Sequence, residues 1–284
     1  MRRPALLLAL TLAACGPKTD PARPALWQVE DAAGHKAWLF GTIHALERPA
    51  DWRGRAVDDA LSRAGAVLVE ADVRDAKALA RIFAALARSP GQPPLGSRVS
   101  PALRGQLAAL LARHDLSDNQ FADTETWAAA LTLAQASAPV LNREHGIDRA
   151  VLAAAEGKPV VELEGAQAQL SIFDHLPETE QRDLLAAVIA DGSAVEGESP
   201  TLALAWRKGD VRAIERETAR GLLADPQLRE ALFTGRNRAW GVRIARAIDA
   251  GQRPFVAVGA AHLVGPDGLG AMLAAQGYKV TRIQ

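Results

Sequence analysis

Hydrophobic positions follow two rhythms along this chain. Short apolar runs without alternation stand near both ends: Trp38-Leu39-Phe40, Ala66-Val67-Leu68-Val69 and Phe255-Val256-Ala257-Val258. Runs of this length predict strands buried on both faces. Leu26–Val29 and Lys36–Phe40 flank Asp31-Ala32-Ala33-Gly34, which predicts a β-hairpin with a glycine-containing loop. Pro159–Leu163 and Tyr278–Ile283 complete the predicted strands.

Between these runs the period lengthens to that of a helix. Helices are expected over 57–64, 75–88, 101–114, 124–138, 146–156, 164–174, 178–190, 200–208, 210–220, 226–233, 238–249 and 269–276. Ser100 is the expected cap of the third, with Pro101 in its first turn. Gly157 is expected to end the helix over 146–156. Strands gathered at the two ends, with helices over about 75–250, predict an α/β fold: a central mixed β-sheet formed by N- and C-terminal strands with a large helical insertion. The 284 residues suffice for one large domain or two small ones.

The N-terminus has a pattern of its own. Met1-Arg2-Arg3 is basic, Ala5 to Ala14 is apolar, and Leu12-Ala13-Ala14-Cys15 follows. The apolar stretch is too short for a membrane span and reads as a targeting segment. Its end resembles a bacterial lipobox with Cys15 as lipid acceptor, and Cys15 is the only cysteine in the chain. An ordinary signal peptide ending near a cysteine is the alternative. The expected organisation is a lipoprotein signal peptide over 1–14, a lipidated Cys15 with a flexible tether over 15–25, and one α/β domain over 26–284. Ten tether residues at roughly 3 Å each would reach about 30 Å. No disulfide can form, so the domain must rest on its core. Lys and Arg balance Asp and Glu at 33 each. With no basic stripe, nucleic acid is not an expected partner.

Candidate chemistry lies just beyond the apolar runs. Two of them lead into Gly-x-x-His, as Gly41-Thr42-Ile43-His44 and Gly259-Ala260-Ala261-His262. A glycine at a strand end permits a sharp turn or a close approach, so Gly41 and Gly259 are read as backbone turns at a site. If the strands are neighbours, His44 and His262 converge. Two neutral imidazoles with a carboxylate form a divalent-metal site with a position left for water. Glu70, just past Ala66–Val69, is the natural carboxylate, and Asp72 its alternative. Glu70 could instead be the base that activates a metal-bound water. The bland readings are a histidine capping a backbone group and an acid paired with a nearby arginine. His35, His114, His145 and His175 lack such placement. Five tryptophans read as core, and Trp52 as more exposed and a possible cleft residue.

GTIH, VLVEAD, GIDRAVLAAAEGKPVVELEGAQAQL, GRNRAW and VAVGAAHLVGPDGLGAMLAAQGYKV, in that order over about residues 25–284, resemble the TraB/GumN family. That family includes the membrane-tethered Tiki metalloproteases and is grouped in fold with erythromycin-esterase-like and ChaN-like proteins. The resemblance implies a site of His44, Glu70 and His262 with Arg236 and Asn237 of GRN added. The last two would steady an oxyanion or hold a substrate carboxylate. Without it they read as a helix-terminal pair. Asp148 and Glu164 also match family positions and read mainly as helix N-terminal caps, with Gly265 a permissive backbone point. The implied function is a lipid-anchored, metal-dependent hydrolase, a peptidase acting on a peptide or protein, with Mn, Co or Zn at the site. By resemblance to Gram-negative lipoproteins it would sit in the bacterial cell envelope, on the periplasmic face of the outer membrane. Two alternatives remain open: a metal-independent His/Glu hydrolase, and a non-catalytic envelope lipoprotein that binds a ligand.

Overall fold

A computed structural model describes residues 19–137, 142–155, 157–191 and 200–284. Cys15, the signal segment and the start of the tether lie outside the described residues. Among the described residues are eight strands: β1 Asp20–Pro21, β2 Leu26–Glu30, β3 Lys36–Thr42, β4 Ala50–Asp51, β5 Ala66–Val69, β6 Val160–Glu162, β7 Pro254–Gly259 and β8 Lys279–Arg282. Six form one mixed sheet in the order β6-β5-β7-β3-β2-β8, while β1 and β4 pair separately. β6, β5, β7 and β3 run parallel, and β2 runs antiparallel to both of its neighbours. The two ends of the chain therefore meet in one sheet, with mainly helical segments between β5 and β7.

The unbroken apolar runs follow from burial on both faces. Trp38, Phe40, Val67, Val69, Phe255 and Ala257 pack on one side, against helices Arg55–Arg63 and Ile147–Ala154. Leu39, Leu68, Val256 and Val258 point to the other, against helices Gly235–Asp249 and Leu269–Ala275. Each fully buried Leu, Val or Phe contributes about 1.5–3 kcal/mol. A third core, around Trp127, lies within the helical region among helices Arg104–Arg113, Thr126–Ser137 and Glu178–Asp191.

Register sets up the site. Ala257 of β7 stands beside Phe40 of β3 and Val69 of β5. Three parallel strands thus end in step, and whatever follows each one emerges at the same carboxyl edge. In open α/β sheets that edge is where ligands bind.

Several local expectations are corrected. The helix expected from Pro101 opens as a 3₁₀ turn, Pro101–Leu103, and the Ser100 side chain makes no cap bond. The break expected before Arg238 does not exist. The short helix Pro226–Arg229 widens into a π turn over Glu230–Thr234 and continues without interruption into Gly235–Asp249. Arg236 and Asn237 are therefore inside a helix, not a pair at its end. The later half of the expected tether is docked: β1 pairs with β4, and Ala22 and Ala25 are buried. Trp52, expected to be exposed, is also buried, tilted at 40° against Phe40 with ring centroids 5.3 Å apart, and does not line the cavity that holds His44.

Candidate functional site

Each of the four parallel strands delivers an ionisable side chain beyond its end. β3 leads to His44, β5 to Glu70, β6 to Glu164 and β7 to His262. The two predicted turn glycines serve a different purpose from the one expected. Gly41 is inside β3, where a Cβ would stand 2.9 Å from the Ala260 Cβ. Gly259 closes β7 and its N–H donates to Glu70 Oε1 at 2.7 Å. A Cβ there would lie 3.3 Å from that oxygen. Both are required by close approach rather than by an unusual turn.

Glu70, Arg236, Asn237 and His262 form one buried network. Arg236 Nη2 donates to Glu70 Oε2 at 2.7 Å and also to Glu164. Its Nε donates to Glu164 at 3.1 Å, and its Nη1 to the Leu232 carbonyl and to His262 Nε2. A guanidinium has five N–H groups, and here each has an acceptor. The π turn matters because it presents the Leu232 carbonyl to Arg236. Asn237 is equally committed. Its Nδ2 donates to the carbonyls of His262 and Asp267, which turns its Oδ1 toward His262 Nδ1 at 2.7 Å. His262 therefore carries its proton on Nδ1 and offers the Nε2 lone pair to Arg236. Its ring lies between Phe233 and Trp240, at 5.0 and 4.6 Å.

Electrostatics agree with this assignment. Burial pushes the Glu70 carboxyl upward, but Arg236, His262, His44 and the Gly259 N–H outweigh it and hold it at about 2. Burial, helped by the Arg236 charge, lowers His262 to about 3, so the ring is neutral. Glu164 is raised by burial and by the Glu70 charge, with Arg236 opposing.

His44 is different. It is more exposed than the buried network it acts on; its Nδ1 pairs with Asp148 Oδ2 at 2.9 Å, and Asp148 Oδ1 accepts from Thr42 Oγ1 at 2.6 Å. The backbone brings this pair together. The Ile147 N–H donates to the Ile43 carbonyl, and a Cβ on Gly146 would collide with the His44 carbonyl at 2.2 Å. The helix Ile147–Ala154 thus starts directly against His44, which places Asp148 beside it. His44 lines the same cavity as Glu70, Arg236 and His262, about 590 Å³ in volume.

Two expected caps are not caps. Asp148 lies in the first turn of its helix but orients His44, and Glu164 stands before its helix and pairs with Arg236. Sequence reasoning missed both pairings, and the available signal was an acid within two residues of a glycine at a helix start in each case. Asp72 pairs with exposed Arg74 and lines no part of the main cavity. His145 is bonded to the Leu46 carbonyl.

The donor types expected for a divalent ion are present, but their arrangement does not fit one. Arg236 engages both Glu70 and the Nε2 of His262. Among the described residues, no group of three His, Cys, Asp or Glu side chains is placed to hold a metal.

Comparison with known proteins gives one consistent result. The model of the TraB/PrgY/gumN family matches residues 25–282. The "Uncharacterized protein YbaP" of Escherichia coli K12 is 30% identical over 252 residues, covering 83% of this chain and 86% of its own. The protein of the same name from Shigella flexneri matches to the same extent. No solved structure matches.

Proposed function

This chain belongs to the TraB/PrgY/gumN family, and from that premise we propose that it is a hydrolase of peptide bonds in which His44, oriented by Asp148, is the general base. The observation that carries the reading is the His44–Asp148 pair on a cavity whose other polar wall is the Glu70–Arg236–His262 network. A carboxylate on Nδ1 fixes the tautomer, so Nε2 can take a proton. In the reaction His44 removes a proton from water, the oxygen adds to the carbonyl carbon, and the C–N bond breaks. The proton then passes from the imidazolium to the leaving amine. Asp148 and the ionised Glu70 both stabilise that imidazolium.

Arg236 and Asn237 are positioning residues in this scheme, because every hydrogen they could give a substrate is already committed. Arg143 also lines the cavity, so its positive charge contributes to the field that a developing oxyanion would meet.

A second reading, with Mn, Co or Zn as cofactor, is favoured by one observation. His262 is neutral and its Nδ1–H is anchored by Asn237, a common arrangement for a histidine ligand. It requires Arg236 to release Nε2. The lipobox at Cys15 supports export and lipid anchoring in the envelope, where the substrate would be met; incorporation of labelled palmitate in the native chain and not in Cys15→Ala tests this.

The deciding experiment is a peptide-library digest with the full chain, its metal content measured in parallel. Cleavage that is lost in His44→Ala and survives chelation supports the metal-free scheme. Cleavage that tracks bound metal selects the second reading. No cleavage under either condition overturns both.

A further inference from the structure

The cavity has two unlike ends. Thr42, Ile43, His44, Glu70 and residues 259–262 stand at the carboxyl edge of the sheet, while most of the remaining wall comes from the helical region. There Leu79 and Phe83 project from helix Ala76–Ala87, Leu131 from Thr126–Ser137, and Leu170 and Phe173 from Ala166–Asp174. All five are only half-buried although they face inward. Phe83 and Phe173 are backed by the fully buried Trp127, with ring centroids 5.5 and 6.2 Å away, so this wall is braced.

Charge around the cavity is nearly spent. Glu70 and Arg236 are paired with each other and His44 with Asp148, and Arg143 is also in the wall. The other polar lining groups are neutral: Thr42, Thr132, Gln135 and Gln169. A charged substrate side chain placed among the leucines and phenylalanines would lose its hydration without a partner. A large apolar one would remove its own surface and that of the wall from water. Both glutamines carry an amide of the kind that pairs with a peptide backbone, and one of them, Gln169, already donates its Nε2–H to Glu70 Oε2 at 3.3 Å. A volume of about 590 Å³ suits a ligand of drug size, equivalent to a few residues.

We infer that the helical half of the cavity is a specificity pocket for a bulky apolar side chain, so the substrate is a peptide with a residue such as Leu or Phe beside the scissile bond. This rests on the hydrolase reading for the word scissile, but the pocket itself is a binding claim and is tested as one.

The test uses the full chain and the fluorescent probe N-phenyl-1-naphthylamine. Saturable probe binding is expected, with displacement by capped dipeptides of Leu or Phe and at least about tenfold weaker displacement by those of Glu or Lys. This series uses the unaltered protein and does not depend on any variant folding. Leu131→Glu and Leu170→Glu should weaken the probe by about tenfold, with Leu131→Ala as the milder form if either fails to fold. Absence of saturable binding, or equal displacement by charged and apolar dipeptides, overturns the inference even if peptides are cleaved. So does better displacement by a free fatty acid than by any dipeptide, which would assign the pocket to lipid. Selective apolar binding without any cleavage supports the pocket and removes only the hydrolase reading.

Discussion

Two acid–base pairs stand on either side of β7, and they differ in almost everything except composition. Glu70 and Arg236 are each 8% exposed, and both are tied into further bonds with Gly259, Glu164, Leu232 and His262. His44 and Asp148 are 43% and 18% exposed, and their pair opens onto the cavity. The first pair is one in which each charge exists because the other is buried beside it. The second pair is in contact with the cavity instead of being sealed beneath it. Under the proposed hydrolase scheme the two tasks divide between these pairs: the buried network would hold geometry, and the half-exposed His44 would move the proton.

The sharpest way to break that division is to remove Arg236. Arg236→Leu leaves Glu70 and Glu164 buried without a counter-charge, and should cost about 3–5 kcal/mol in a urea melt. A loss below about 1 kcal/mol would mean that the network is not holding the sheet edge. His44→Ala should do the reverse. Turnover is expected to drop by about 10²–10⁴-fold with little change in the melt. Asp148→Asn keeps the shape and removes the charge that favours the imidazolium. A fall of about 10- to 100-fold in turnover is expected, with substrate affinity held, measured as kcat separately from KM. An unchanged kcat would show that Asp148 is only structural.

The smallest effect is a slope in stability with pH. His262 ionises near 6.5 when unfolded but only at about 3 when folded. The unfolded chain therefore binds the extra proton first, and stability should fall as pH drops from 6.5 toward 3. Glu70, held at about 2, adds a further loss from about 4.5 downward, since its stabilisation exists only while it is ionised. Glu164 runs the other way, being raised, and gives up stability as pH rises above about 4.5. Urea midpoints between pH 7 and 3 should decline, and the upper part of that slope should flatten in His262→Asn.

Much of this arrangement was legible in the chain. The apolar runs identified β3, β5 and β7, and His44, Glu70 and His262 just beyond them line one cavity. His262 and Glu70 do meet at one edge, through Arg236. The local reading failed where helices had to be joined or ended. The expected helices stop at Phe233 and resume at Arg238, leaving Arg236 outside, whereas a π turn carries the helix through that gap. Asp148 and Glu164 were read as caps because an acid at a helix start usually is one. Trp52 was read as exposed because nothing local says that β4 turns it onto Phe40.

What the sequence determined by itself was the kind of strand, the kind of helix and the residues available at each end. Those depend on periodicity and side-chain type within a few positions. What only the tertiary structure decided was partnership. Glu70 and Arg236 are 166 residues apart, and His44 and Asp148 are 104 apart. Which carboxylate meets which base depends on strand order, on three strands ending in step, and on one helix starting against the His44 backbone. None of these is a property of a local stretch of chain, because each arises from burial of surfaces contributed by distant segments.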